Sequence, residues 1–173
     1  MGYETELRPV ADAETRLAGR AGDHREDLRL WLRLFTCNML VEGEVRGRLR
    51  ERFDVTLPRF DLMAQLERVP DGLTLGELSQ RLMVSNGNIT GLVQRLVDSG
   101  HLLRAPHPTD RRVSRVMMTE AGRIAFAEMA AGHAAWISNL FADMPASDRR
   151  TLLRLLGQLK EAVRQGVARG GRA

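Results

Sequence analysis

The sequence predicts a mainly α fold in which long N- and C-terminal helices flank a short helix-turn-helix unit and a small β-hairpin. Three observations predict it. Apolar residues recur at helical spacing over most of the 173 residues. A capped short helix is followed, after two or three residues, by a second helix with one polar face. Two short β-type segments then bracket a basic, proline-marked turn. With 43% hydrophobic residues the chain can bury a core. It holds no unbroken apolar run near the roughly 18 residues a membrane span needs. Charged residues from Glu4 to Arg20 replace the apolar stretch of a secretory signal, so a cytoplasmic protein without a membrane partner is expected.

Residues 1–22 are polar and unpatterned and are expected to fray, as is the glycine-rich end at 168–173. From about Asp23 to Phe53, Trp31, Phe35, Val45, Leu49 and Phe53 share one face at 100° per residue, which predicts one long helix. Asp54 to Thr56 breaks it, and Pro58 suits the first turn of a second helix through Phe60, Met63 and Leu66 to Arg68. Val69-Pro70-Asp71-Gly72 reads as a turn. Thr74 and Glu77 have capping-box spacing for a third helix from Leu75 to Met83. Ser85 caps a fourth, in which Ile89, Leu92, Val93, Leu96 and Val97 are the inner face and Gly100 is the left-handed stop. Leu102–Arg104 and Val113–Met118 read as the hairpin, a wing with a long basic tip. Thr119 caps a fifth helix to Leu140. After Pro145, a sixth from about Ser147 carries Leu152, Leu155, Leu156, Leu159 and Val163, a stripe that stays exposed unless another helix covers it. The organisation expected is therefore a dimerisation helix at 23–56, a winged helix-turn-helix at 57–118 and C-terminal dimerisation helices at 119–167.

Chemistry-bearing clusters are sparse. A single cysteine, Cys37, excludes a disulfide framework and a thiolate metal cluster, and is expected to be a buried, inert thiol. His24, His101, His107 and His133 lack metal-ligand spacing, so neither a metal nor a cofactor is expected. No phosphate loop, Gly-x-Ser-x-Gly elbow or His-Glu-x-x-His is present, and an enzyme is the least supported class. The 26 basic and 22 acidic residues give a net charge of +4, which permits a local positive surface without proving a nucleic-acid partner.

The fourth helix carries the sharper signal. Gly87, Asn88, Gly91, Gln94 and Arg95 lie away from its apolar face, with Asn86 and Thr90 on the edge. Asn and Gln present donor and acceptor together, as an adenine edge requires, and the glycines admit close backbone approach. Asp110, Arg111 and Arg112 sit at the hairpin tip, where an Arg on a projecting loop can enter a narrow minor groove. The alternatives are an ordinary solvated face and a solvated turn with Asp110 paired to an arginine.

The run Ser85-Asn86-Gly87-Asn88-Ile89-Thr90-Gly91-Leu92-Val93-Gln94-Arg95-Leu96, the Asp110-x-Arg112 wing and Met118-Thr119-Glu120-Ala121-Gly122 resemble the MarR family of bacterial winged-helix regulators over about residues 25–165. Met118 stands where that family usually has leucine. The resemblance implies a homodimer on double-stranded DNA, with Ser85, Thr90 and Arg95 on phosphates or bases. Asn86 and Asn88 would read bases, and Arg112 would enter the minor groove with Asp110 supporting the wing. It further implies a repressor released by a small-molecule effector. The recognition-helix segment is similar to that of regulators of aromatic-acid breakdown, which points to an aromatic acid or its CoA thioester.

Asn38, Glu42 and Arg46 interrupt the apolar stripe of the first helix. They form either a local Glu42/Arg46 pair or contacts to a second subunit. The third alternative is a pocket in which Arg46 meets an anionic effector and Trp31, Phe35, Phe60 and Met63 supply walls. Some relatives in the resembled family switch by cysteine oxidation, but Cys37 lies several residues from that position. The rival readings of the whole chain are a winged-helix module that binds protein and a transcription activator.

Overall fold

The computed structural model describes residues 25–106 and 114–170. Expectations that fall on residues 1–24, on the hairpin tip with Asp110, Arg111 and Arg112, and on residues 171–173 lie outside the described residues. The chain divides into two compact units, with the boundary after Ala134.

In the first unit, α1 (Arg25–Phe53) ends where Asp54 turns into the left-handed region at φ 52°. Thr56 is the N-cap residue of α2 (Leu57–Glu67), and Pro58 occupies the first turn, where its missing N–H costs nothing. A two-residue strand β1 (Leu73–Thr74) leads into α3 (Leu75–Leu82). Thr74 and Glu77 complete the capping box: the Glu77 amide donates to Thr74 Oγ1 at 3.2 Å, and Glu77 Oε2 accepts from the Thr74 amide at 2.8 Å. Met83, at φ 54°, ends α3, and the turn is clasped twice between the same residues. Ser79 Oγ donates to the Val84 carbonyl at 2.6 Å, and the Val84 amide donates to the Ser79 carbonyl at 3.2 Å.

Helix α4 (Asn86–Asp98) follows and ends in a Schellman motif. The His101 amide reaches the Leu96 carbonyl, the Gly100 amide reaches that of Val97, and Gly100 sits at φ 76°. Strands β2 (Leu102–Pro106) and β3 (Ser114–Met118) pair antiparallel with Arg104 opposite Val116, and β1 pairs with the other edge of β3. Leu49, Leu62, Met63, Leu66, Leu78, Ile89, Val93 and Val116 are the innermost core side chains. Helix α5 (Glu120–Leu140) spans the unit boundary. In the second unit, α6 (Ala146–Gly170) buries no residue.

The structure corrects several expectations. Strand β1 has no alternating pattern to betray it, since two residues cannot show a period; it exists because β3 offers Leu73 and Thr74 a backbone partner. The first hairpin strand runs to Pro106 rather than Arg104, because Pro106 pairs with Ser114. Residues 168–170, expected to fray, continue α6. Cys37, expected to be buried, is exposed, because it lies in the part of α1 ahead of Val45, where no described residue is buried. Trp31 and Phe35 share the face of Leu49 but are 57% and 45% exposed, since the face outruns what the described residues pack against it.

Candidate nucleic-acid interface

The structure turns α4 so that Ile89, Val93 and Leu96 are buried while Asn86, Gly87, Asn88, Thr90, Gly91, Gln94 and Arg95 are all exposed. Periodicity dictates this: the buried set falls at i, i+4 and i+7, which commits the opposite side to solvent. Ser85 stands at the N-cap, where its Oγ accepts from the Asn88 amide at 3.5 Å. Thr90 Oγ1 donates to the Asn86 carbonyl at 2.9 Å, so a phosphate binding this hydroxyl as a donor must displace that bond. At Gly87 and Gly91 a Cβ atom would meet nothing within 4 Å, so each leaves bare backbone facing open space.

Gly87, Asn88, Gly91 and Arg95 line an open cleft with Pro58, Val84 and Leu92. One wall is the start of α2, so the helix-turn-helix packing itself shapes the groove. Further along the same face, Gln94 Nε2 donates to Asp98 Oδ1 at 2.8 Å, and Gln94 Oε1 accepts from Arg104 Nη2 at 3.3 Å. Sequence reasoning puts Arg104 on a strand of the wing and not beside the α4 face. The signal that places it there is three-dimensional, because β2 returns beside α4 ten residues after Gln94. Behind β3, Arg115 Nη1 donates to the Asp71 carbonyl at 3.3 Å.

Two carboxylates of the first unit have opposite shifts. Hydrogen bonds from the Thr74 backbone and then its hydroxyl hold Glu77 below its ordinary pKa, with smaller help from Arg115 and Arg81. Burial pushes Asp61 on α2 up; His133 opposes this and Glu42 adds to it. Among the described residues no group of His, Cys, Asp and Glu could hold a metal ion, and no helix is long and apolar enough to cross a membrane.

The residues expected to line an effector pocket divide into three sets. Met63 and Phe60 are core, and the Phe60 ring packs on Phe126 at 5.5 Å and His133 at 5.0 Å. Trp31 and Phe35 stack on one another at 5.7 Å on the exposed part of α1. Glu42 pairs with Arg46 and accepts from Asn38 Nδ2 at 3.5 Å, so the local i, i+4 pairing is present.

Comparison with known proteins agrees with this arrangement. A family model described as the MarR family matches residues 53–113, from the end of α1 into the hairpin. The transcriptional activatory protein BadR of Rhodopseudomonas palustris is 36% identical over 117 residues, 66% of this chain and 61% of BadR. The chain thus matches somewhat less than two thirds of that relative's length. The crystal structure of a MarR family transcriptional regulator from Silicibacter pomeroyi superimposes with a TM-score of 0.72 and 30% identity, over 83% of this chain and 99% of that one. Apo MarR from E. coli shares the fold at a TM-score of 0.67, covering 73% of this chain and 93% of its own, with 24% identity. These relatives are transcriptional regulators and not enzymes. The chain belongs to the MarR family of transcriptional regulators.

Proposed function

We propose that the protein is a ligand-responsive transcription regulator that binds a pseudo-palindromic operator in double-stranded DNA as a homodimer, in the cytoplasm. The observation that carries this reading is the α4 face. Seven polar or glycine residues stand exposed on a helix fixed from behind by three fully or nearly fully buried apolar side chains, with Arg104 beside them. Such a face fits a major groove. Ser85, Thr90 and Arg95 serve the backbone, Asn86 and Asn88 read base edges, and Gly87 and Gly91 let the helix come close. Arg112, with Arg111 beside it and Asp110 supporting the wing, enters the flanking minor groove. The units for these roles are 23–56 and 119–167 for dimerisation and 57–118 for DNA.

The homodimer is supported by α6, where Leu152, Leu153, Leu155, Leu156, Val163 and Val167 are all exposed. A stripe of that extent marks an association surface. The regulator acts as a repressor released by a small molecule, an aromatic acid or its CoA thioester, through the region of Trp31, Phe35, Asn38, Glu42, Arg46, Phe60 and Met63. Release requires the effector to bind the DNA-incompetent geometry better, and a 100-fold loss of operator affinity corresponds to about 2.7 kcal/mol of coupling. A second reading, activation, is favoured by the activatory relative in Rhodopseudomonas palustris.

The test is fluorescence anisotropy of the full chain on DNA upstream of its own gene and on scrambled DNA, at two salt concentrations. Selective binding that weakens steeply with salt is expected, because neutralised phosphates release counterions. Failure with these duplexes and with a genome-wide pool would replace DNA by a protein partner as the occupant of the α4 face.

A further inference from the structure

The Arg104–Gln94–Asp98 chain of hydrogen bonds separates residues on the α4 face that can read bases from one that cannot. It joins strand β2 to the last turns of α4 through a single amide. We propose that Gln94 is a positioning residue that holds Arg104 for a DNA phosphate, and is not a base reader; this rests on the DNA-binding reading above.

A glutamine reads adenine by giving its N–H and its carbonyl oxygen to the same base edge. Both ends of Gln94 are already engaged, each with a charged partner. The polarity of the amide is dictated by those partners. Flipping it would set its oxygen against the Asp98 carboxylate and its N–H against the Arg104 guanidinium, replacing two attractive contacts by two repulsive ones. Asn86 and Asn88 differ, since no hydrogen bond engages either side-chain amide among the described residues; their contacts there run through backbone atoms.

For Arg104 the consequence is preorganisation. It is exposed and sits on β2 opposite buried Val116, so its backbone is fixed by the centre of the sheet. A guanidinium carries five N–H donors in a planar fork, and one of them goes to Gln94. Restraining a long side chain before binding removes part of the entropy lost when it meets a phosphate. Asp98, whose charge would repel DNA, spends its carboxylate on the far end of the same amide.

The experiment uses the full chain and a randomised duplex pool, first selected with wild type to define the preferred site. Affinity, salt slope and base preference are then measured for wild type, Gln94→Ala, Arg104→Ala and the double variant. Both residues are exposed, and thermal melts are expected to match wild type. Arg104→Ala is expected to weaken binding about tenfold and to lower the salt slope by about one phosphate. Gln94→Ala is expected to weaken it by roughly three- to tenfold while leaving every base preference unchanged. The double variant is expected to be no weaker than Arg104→Ala alone, the non-additivity of one linked unit. A changed base preference in Gln94→Ala, or losses that add, overturns the assignment while DNA binding stands. Absence of salt-sensitive wild-type binding to any duplex in the pool overturns both.

Discussion

Gly122→Ala would press on the joint between the reading helix and α5. Gly122 is the third residue of α5 and lies against the backbone just beyond the Schellman end of α4. A Cβ placed on it would stand 2.1 Å from the His101 carbonyl oxygen and 2.9 Å from its carbon, more than 1 Å inside ordinary contact. The obstacle is backbone, so no rotamer change relieves it. The same carbonyl accepts from the Thr119 amide at 3.0 Å and from Thr119 Oγ1 at 3.1 Å. That Oγ1 in turn accepts from the Gly122 amide at 2.9 Å, capping α5. Moving the segments apart therefore also stretches the Thr119–His101 hydrogen bonds. Overpacking costs about 1–3 kcal/mol, at the upper end where backbone must move, and the weakened hydrogen bonding to His101 costs about 1 kcal/mol. Alanine's helix propensity returns roughly 1 kcal/mol. The net is about 2–3 kcal/mol, a fall in melting temperature of roughly 5–12 °C. Circular dichroism melts at one fixed protein concentration measure it. A Gly122→Ala variant melting within about 2 °C of wild type would refute the packing argument, and with it the idea that α5 is braced on the end of α4.

Four other outcomes are expected. Gly91→Ala, into open space on α4, gains up to about 1 kcal/mol in stability yet loses DNA affinity, because the methyl stands where the backbone meets the groove; melts and anisotropy separate the two effects. Leu155→Glu places a charge in the exposed stripe of α6, and sedimentation is expected to show monomer with operator binding lost. Asp61→Asn is expected to raise the melting temperature at neutral pH by on the order of 1–2 °C. Burial raises the folded-state pKa of Asp61, so wild-type stability falls as pH rises through that window, and the advantage of the variant closes below about pH 4. Thr74→Ala is expected to cost about 1 kcal/mol. The folded-state pKa of Glu77 is depressed, so its share of the cap is present above the ordinary glutamate range and lost as pH falls through the lowered value; the deficit therefore narrows in acid melts.

The elements that were legible in the sequence are those whose stop signals are local. Thr74 with Glu77, Ser85, Gly100 and Thr119 each announce a helix end through a hydrogen bond that reaches at most a few residues, and all of them cap or stop a helix in the structure. Long-range partners were not legible. Strand β1 depends on pairing with β3 some forty residues away, and the exposure of Cys37 depends on how far along α1 the rest of the unit packs. Trp31 and Phe60 look equivalent as apolar helix residues, yet one is exposed and the other packs on Phe126 and His133, because Trp31 lies on α1 ahead of its first buried residue, Val45, while Phe60 lies on α2 beside buried Leu62 and Met63.

The candidate interface follows the same division, and Gln94 shows where a helix-wheel reading overcounts. The wheel assigns a residue to a face by angle alone, and by that measure Gln94 and Asn88 are alike, with Asn86 on the edge. What distinguishes them is competition. Gln94 lies one turn from Asp98 on its own helix and within reach of a guanidinium on β2, so its amide already has an acceptor and a donor partner when DNA arrives. Asn88 lies at the other end of α4, beside two glycines and an open cleft, where the strand that supplies Arg104 does not reach. On the proposed DNA-binding reading, base reading falls to the first two turns of α4, while the last turns join the helix to β2. That gradient follows from β2 returning beside α4, and on the proposed reading substitution at Asn86 or Asn88, and not at Gln94, is expected to change which sequence is bound.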